Sequence, residues 1–480
     1  MGLLAFLANP AAAQTPPAQP TPGPANASPL SPVPTAPASA LPPVAPASGQ
    51  AAKPAAPSSP AQNGAASPAA ATMPGAAPTA PPSAGAPQPG AQPGTEAAPK
   101  PPPAKAAKPK PKPPIREWAL SPDPTPSFQP ETFFATSNAA DRYAKIVAAG
   151  GWPVVPGEVK PGAPGPAVAA LRQRLAVEGD LPEALARGEK WDPVLASAVK
   201  RFQERNGLKE TGIVTGATLR AINVPAQIRH GQLAASAQRL AGIEFPFGDR
   251  YVVVNIPSAS VETVQDGVVA RRYVAVVGDP GHRSPEVQAK VQVINLNPTW
   301  TVPTSIIKNE IIPKMRKDPG WLAKSRIRIL DGKNQEIDPS RIDWKGEKAV
   351  NYTLRQDPGP HNSLGSIRIG MPNKHAVYMH DTPAKSFFGQ SHRFLSHGCV
   401  RVQGVYELAA WLLKETPNPS GAAWDALGLK SVEAREDVKL TRPVPVIWVY
   451  MTGWASADGT VHFADDVYGV DAPAQQASLR

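Results

Sequence analysis

The stretch Met379–Val402, MHDTPAKSFFGQSHRFLSHGCVRV, decides how the rest of this chain is read. It holds Cys399, the only cysteine among 480 residues, with His380, His392 and His397 within twenty positions of it. A lone thiol is most often a small buried hydrophobe. The neighbours of this one point elsewhere. Gly398, immediately before it, lets the backbone turn tightly so that successive N–H groups can face one oxyanion. A thiol with an ordinary pKa of about 8.5 also needs a base or a positive neighbour to ionise at neutral pH, and His380 and His397 are the candidates. His397 is two residues from the sulfur, where a strand or turn directs a side chain elsewhere. His380 ends the apolar run AVYMH, so a neighbouring strand can bring its ring beside the sulfur. Metal binding is the competing use of these residue types, but one Cys and two His without a close-spaced fourth ligand match no zinc pattern. No metal or organic cofactor is expected.

Composition bounds what surrounds this stretch. About half of the 62 prolines precede Arg116, in a segment otherwise built from Ala, Gly, Ser, Thr and Gln. Such a segment cannot bury enough apolar surface to offset the entropy of ordering it, so residues 14–115 read as a disordered Pro/Ala/Lys-rich linker. Six lysines against Glu96 give it +5 of the chain's net +11, a weakly basic arm suited to peripheral association with an anionic envelope. The lysines lack interleaved aromatics, and no nucleic-acid partner is expected. The first residues, MGLLAFLANPAAAQ, read as the remnant of a secretory signal cut after Ala13, with an uncleaved inner-membrane anchor as the alternative. A seven-residue apolar run cannot span a bilayer. Export makes the single unpaired cysteine more informative, because oxidising compartments favour paired ones.

The motif SHGCVRV, with a histidine nineteen residues upstream of its cysteine, resembles the signature of the YkuD-type L,D-transpeptidase family. Further matches to its larger Gram-negative members are VVGDPGHRSP at 276–285, NPTWTVP at 297–303, RQDPGPHNSLG at 355–365 and MPNKHAVYMHDTP at 371–383. The resemblance implies that Cys399 is the nucleophile and His380 its base, oriented by the backbone carbonyl of Asp381. It implies that His397, Gly398 and Cys399 shape an oxyanion hole, and that Arg401 braces the loop or meets a substrate carboxylate. Tyr378, Trp300, Arg355 and Asn362 fall at positions that line the donor cleft in similar enzymes, each with simple packing or a turn as the alternative.

Upstream the texture is helical. In GPAVAALRQRLAVEGDL, Val168, Leu171 and Leu175 form one stripe, and in WDPVLASAVKRFQERNGL Leu195, Val199 and Phe202 form another, with Asp192 placed to cap the second helix and Gly207 to end it. A third helix follows in TGIVTGATLRAIN. Periodicity alone gives a small bundle. The pattern AVKRFQERNGLKETGIVTGATL also resembles the peptidoglycan-binding module of cell-wall enzymes.

Downstream, RYVVVNIP, ARRYVAVVG, AKVQVINLN and PVIWVYMTG read as strands. The mixed stretch at about 304–350 interrupts them and reads as an inserted lid that excludes water from the thiol.

The expected architecture is therefore multidomain α+β. A signal remnant (1–13) and linker (14–115) precede a scaffold segment (116–160), a peptidoglycan-binding-like three-helix domain (161–225), a mostly-β catalytic domain (248–451) carrying the lid, and a C-terminal tail (452–480). The resemblance implies a periplasmic enzyme that attacks a peptidoglycan tetrapeptide stem at diaminopimelate, releases D-Ala and passes the acyl group to the diaminopimelate amine of an acceptor stem as a 3→3 cross-link. An L,D-carboxypeptidase or another peptidoglycan-directed cysteine hydrolase on the same scaffold is the alternative, because the two differ only in the acceptor.

Overall fold

In the computed structural model, residues 117–162 and 165–471 are described. The signal and linker expected over 1–13 and 14–115, and the last residues of the expected tail, lie outside the described residues.

Five helices lead the fold: α1 (Thr132–Ala148), α2 (Pro166–Glu178), α3 (Pro193–Arg205), α4 (Gly216–Ile222) and α5 (Ala226–Leu240). Proline opens α2 and α3, where its missing N–H costs nothing. Asp192 caps α3 by accepting the Leu195 N–H at 2.8 Å, and Gly179 ends α2 in the left-handed conformation. The apolar stripes face one another, so Val168, Leu171, Leu175, Leu195, Val199 and Phe202 form one core with Val214 and Ile222.

This bundle, the helical domain expected over 161–225, is tied into the segments that flank it. Its buried charges reach into the flanking segments. Arg174 and Arg205 hold Glu178, Arg205 also holds Asp180, and the Tyr143 hydroxyl of α1 donates to Glu178 at 2.8 Å. Arg205 further donates to the Val461 carbonyl, 256 residues along the chain. A buried carboxylate needs several donors, and here no single segment supplies them.

The strands are β1 (Arg250–Asn255), β2 (Ser260–Gln265), β3 (Val268–Gly278), β4 (Val287–Leu296), β5 (Trp300–Thr301), β6 (Ile327–Leu330), β7 (Glu336–Ile337), β8 (Thr353–Gln356), β9 (Ile367–Gly370), β10 (Met379–His380), β11 (Phe394–Ser396), β12 (Val400–Val402), β13 (Glu436–Val449), β14 (Gly453–Ala455) and β15 (Val461–Phe463). The main sheet runs β11-β3-β12-β10-β9-β4-β13-β1-β2, and β2 pairs back onto β3, so it closes on itself. Alternate residues such as Val252, Val254, Val277, Ile369, Met379 and Val400 fill its interior, and Leu408 and Leu412 of the helix Val405–Leu413 plug it.

The insertion spans Trp300 to Gln356, slightly wider than the 304–350 read from sequence. It has its own sheet, β5-β8-β6-β7, and a helical run at 304–317 containing a π-turn at Ile307–Ile311. Ile307, Ile311, Met315, Ile329 and Leu354 give it a separate core.

Residues 452–471, expected as tail, are folded. The β14–β15 hairpin packs Ala455, Val461 and Phe463 against Ala139, Tyr143 and Leu233 of α1 and α5. Asp471 is fully buried, accepting the Thr452 hydroxyl and pairing with Arg239 at 2.7 Å. Short strands around an Asp-Gly turn carry a weak sequence signal, and their partners lie more than 200 residues away.

Candidate active site

Cys399 sits between β11 and β12, and the strand after it carries its chemistry. β12 pairs in parallel with β10, setting Met379 opposite Val400 and His380 opposite Arg401. On the other side of β10, β9 sets Arg368 opposite His380. Register continues this row through Asn295 on β4 to Asp437 on β13. Residues in register share a face, so Asp437, Asn295, Arg368, His380 and Arg401 form one polar band across five strands. The inward-facing Ile369, Met379 and Val400 of the same strands anchor it in the core.

Gly398 requires glycine: its φ is +104°, and a Cβ there would lie 3.4 Å from the Arg283 carbonyl. Ser284 Oγ donates to the Gly398 carbonyl at 2.8 Å, and Ser396 Oγ donates to the Cys399 carbonyl at 2.5 Å. The Gly398 N–H is turned onto Ser396 Oγ at 3.2 Å. The turn is thus fixed by two serines that the sequence reading left without roles.

His380 is buried, and its Nδ1 lies 2.5 Å from the Asp381 carbonyl. The Leu364 carbonyl also faces the ring. Burial, then the neighbouring Arg401 guanidinium, push its pKa down to about 3, against the pull of the two carbonyls. Burial likewise pushes the Cys399 thiol up, while Tyr378, Arg368 and Arg401 pull it back. Thiol and imidazole are therefore both neutral at rest. Arg368 lies over the Tyr378 ring at 4.5 Å and Arg401 near Phe387 at 5.7 Å. Among the described residues neither has a carboxylate within ion-pair distance, which leaves two guanidiniums beside the thiol.

His397 takes a different place. It is partly exposed, packs at a 40° tilt against His282 with 4.4 Å between ring centroids, and its Nε2 lies 2.9 Å from Glu310 Oε1 on the π-turn of the insertion. His397, then Lys314, hold the Glu310 carboxyl down at about 2. His282 in turn pairs with Asp279 at 3.1 Å.

The other expected cleft residues separate. Trp300 and Tyr378 line a cavity of about 290 Å³ with Arg368, Arg435 and Asp437, and the Tyr378 hydroxyl is raised by burial and by Cys399. Asn362 is 1% exposed; its amide donates to the Pro298 and Asp357 carbonyls and its oxygen accepts the Leu364 N–H. That leaves it no free group for substrate, so it shapes the loop that aims the Leu364 carbonyl at His380. Arg355 sits on β8 in the insertion, opposite Thr301 and Arg328, and reaches Asn334. The sequence reading missed Arg368 and Glu310. Arg368 had a signal, because alternation in Ile367–Gly370 turns it to the face opposite Ile367 and Ile369. Glu310 had none.

A closed barrel with a glycine-turned thiol and a buried imidazole, preceded by a helical bundle, defines a two-part protein, and the comparisons find one family for each part. Residues 249–419 match the family described as L,D-transpeptidase catalytic domain (YkuD), and residues 164–222 match the "Putative peptidoglycan binding domain" family. The chain carries a YkuD-type L,D-transpeptidase catalytic domain preceded by a peptidoglycan-binding-like helical domain. A Haemophilus influenzae protein described as "Putative L,D-transpeptidase" is 34% identical over 245 residues, covering 50% of this chain. The alignment spans 48% of that relative's length, about half of it. Solved structures with some likeness include an L,D-transpeptidase from Xylanimonas cellulosilytica (17% identity, 62% of this chain and 99% of that one, TM-score 0.20). Another is L,D-transpeptidase 3 from Mycobacterium tuberculosis with a faropenem-derived adduct (14% identity, 42% and 60%, TM-score 0.21).

Proposed function

We propose that this protein is a periplasmic L,D-transpeptidase that forms 3→3 peptidoglycan cross-links through a Cys399 thioester. The observation that carries the reading is a glycine-turned thiol at the start of the strand that pairs with the buried His380's own, with two guanidiniums without carboxylate partners acting on both groups. A histidine held near 3 accepts a proton only as negative charge forms beside it. Proton transfer from Cys399 Sγ to His380 is therefore coupled to the attack of sulfur on the carbonyl of diaminopimelate in a donor tetrapeptide. Arg368 and Arg401 offset the charge that develops. Collapse of the tetrahedral intermediate breaks the C–N bond, and His380 returns the proton to the departing D-Ala amine. The side-chain amine of a second diaminopimelate then attacks the thioester, with His380 taking its proton and the thiol regaining it.

The hydrolytic alternative uses water as acceptor. The insertion favours the transferase, since Glu310 brings it onto His397 beside the thiol and so limits water there. Incubating the protein with purified tetrapeptide muropeptides and weighing the products tests this. A cross-linked dimer with loss of D-Ala is expected; tripeptide alone would mean a hydrolase, and unchanged substrate would sink both readings.

A further inference from the structure

A second cavity, of about 560 Å³, lies away from Cys399 where the helical bundle, the N-terminal edge of the catalytic barrel and the β14–β15 hairpin meet. Its volume is in the range of small-molecule sites. Arg229 and Asn206 come from the bundle side, Trp454, His462 and Phe463 from the hairpin, and Trp118 from the segment ahead of α1.

The charges beneath it do not balance. The buried cluster that joins bundle to hairpin contains Arg174, Arg205 and Arg229 against only Glu178 and Asp180. Arg174 and Arg205 are ion-paired. Arg229, 4% exposed, has no carboxylate within ion-pair distance among the described residues. Its two terminal nitrogens donate to Gln232, Asn206 and the Ala221 carbonyl, and its Nε has no partner. The surplus positive charge thus falls on Arg229, which lines the cavity beside the ion-paired Arg205. A buried, uncompensated guanidinium is costly unless an anion meets it.

The remaining walls suit a ring with one apolar face and a hydroxylated edge. Trp118, Trp454 and Phe463 line it, with Arg393, His462 and Arg229 set against their respective rings, and Ser258, Ser391 and Ser456 lie between them. The lysine-rich stretch that runs up to Glu117 is excluded as occupant by its own positive charge.

We propose that this cavity binds a carboxylate-bearing amino sugar of glycan stripped of its stem peptides, where the lactyl carboxyl is no longer held in an amide and can meet Arg229. The site would hold the wall at the junction of the domains and not on the bundle alone. The proposal rests on the peptidoglycan reading of the helical domain, but not on the chemistry at Cys399. The test uses the full chain carrying Cys399→Ser and titration calorimetry with the disaccharide N-acetylglucosaminyl-N-acetylmuramic acid, which has no stem peptide for the catalytic cleft. The neutral disaccharide chitobiose and the peptide acetyl-D-Ala-D-Ala are the comparison probes. The acidic disaccharide should bind at least tenfold more tightly than either. Arg229→Gln should weaken it at least tenfold, and Ser391→Trp, at an exposed position on the rim, should do the same without touching the buried cluster. If Arg229→Gln fails to fold by circular dichroism, Ser391→Trp decides. No binding, equal binding of chitobiose or of the peptide, or indifference to Ser391→Trp would overturn the proposal. Such a failure would leave dimer formation by the wild type intact, whereas failure of the enzymatic reading would leave this binding intact.

Discussion

Glu310 Oε1 of the insertion lies 2.9 Å from His397 Nε2 of the SHGC turn, the residue two before the thiol. The contact joins two units with separate hydrophobic cores, and both partners are about one-third to two-fifths exposed. A pair so exposed is worth little to global stability, roughly 0.2–1 kcal/mol, but that is enough to bias a hinged segment. Glu310→Gln should therefore leave the melting temperature nearly unchanged while raising amide exchange across 304–317 and the rate of Cys399 alkylation severalfold. With water admitted, the ratio of hydrolysed to cross-linked product should rise. Unchanged exchange and product ratio would show that the insertion is held by its other contacts.

Cys399 is the one sulfur that can form a thioester, so Cys399→Ser should abolish turnover without loss of fold. The motif's resemblance to L,D-transpeptidases also implies acylation by a carbapenem at this residue. Intact-mass measurement should find one adduct on the wild type and none on Cys399→Ser; an adduct on both would place the nucleophile elsewhere.

The two motif histidines are separable by titrating Cys399 with a small alkylating reagent. Burial raises the thiol, so the wild-type midpoint should lie above the ordinary cysteine range. His380→Ala removes the proton acceptor and should cost about 10² to 10⁴ in turnover. His397→Ala breaks the contact with Glu310 and should speed alkylation while moving the midpoint less. A midpoint that shifts only in His397→Ala would exchange the two roles.

Buried imidazoles also set the acid limit of the fold. Burial and nearby arginines push His380 to about 3 and His462 to about 4. In the unfolded chain both titrate near about 6.5. Below that value the unfolded state binds protons that the folded state refuses, so stability should fall as pH drops from about 6.5 toward 4. The slope from each group is about 1.4 kcal/mol per pH unit. The midpoint of urea unfolding measured across that range should fall accordingly, and His462→Phe, which keeps the stack on Trp454, should reduce the slope throughout it, leaving the part due to His380.

What was readable in the sequence was whatever lay within one element or one motif. Val168, Leu171 and Leu175 announce their buried face by spacing alone, and Asp192 its cap by position. Cys399, Gly398 and His380 were legible through the motif, and the Asp381 carbonyl does reach His380 Nδ1. What was not legible depends on register between distant strands. Nothing in the chain order says that Arg368 meets His380, or that Glu310 meets His397 eighty-seven positions later. Asn362 shows the converse: a motif position that seemed to face substrate is spent on three backbone groups. The fusion of bundle, α1 and hairpin through Glu178 and Arg205 was hidden for the same reason. Deleting residues 161–225 should now strip Tyr143 and Val461 of their partners and unfold the C-terminal hairpin, so loss of sacculus binding by that deletion alone would say little about glycan recognition.

Arg368 gives the sharpest test of the polar band, because sequence assigned it nothing. It lies opposite His380 in register and over Tyr378 at 4.5 Å, it lowers both the thiol and the imidazole, and among the described residues its side-chain hydrogen bond is to Asn295 at 3.0 Å. Glutamine at this position can keep the bond to Asn295 while removing the charge. Arg368→Gln should accordingly raise the Cys399 alkylation midpoint and lower kcat/KM for tetrapeptide by about tenfold, the rate equivalent of one pKa unit. If the arginine acts on the developing charge, the loss falls on kcat; if it chiefly grips a carboxylate of the donor in the 290 Å³ cavity, the loss falls on KM. Arg368→Lys should recover part of the midpoint shift, since it restores the charge without the planar fork. A variant with unaltered midpoint and unaltered kinetics would reduce Arg368 to a packing residue of β9 and leave Arg401 as the only cation serving the thiol.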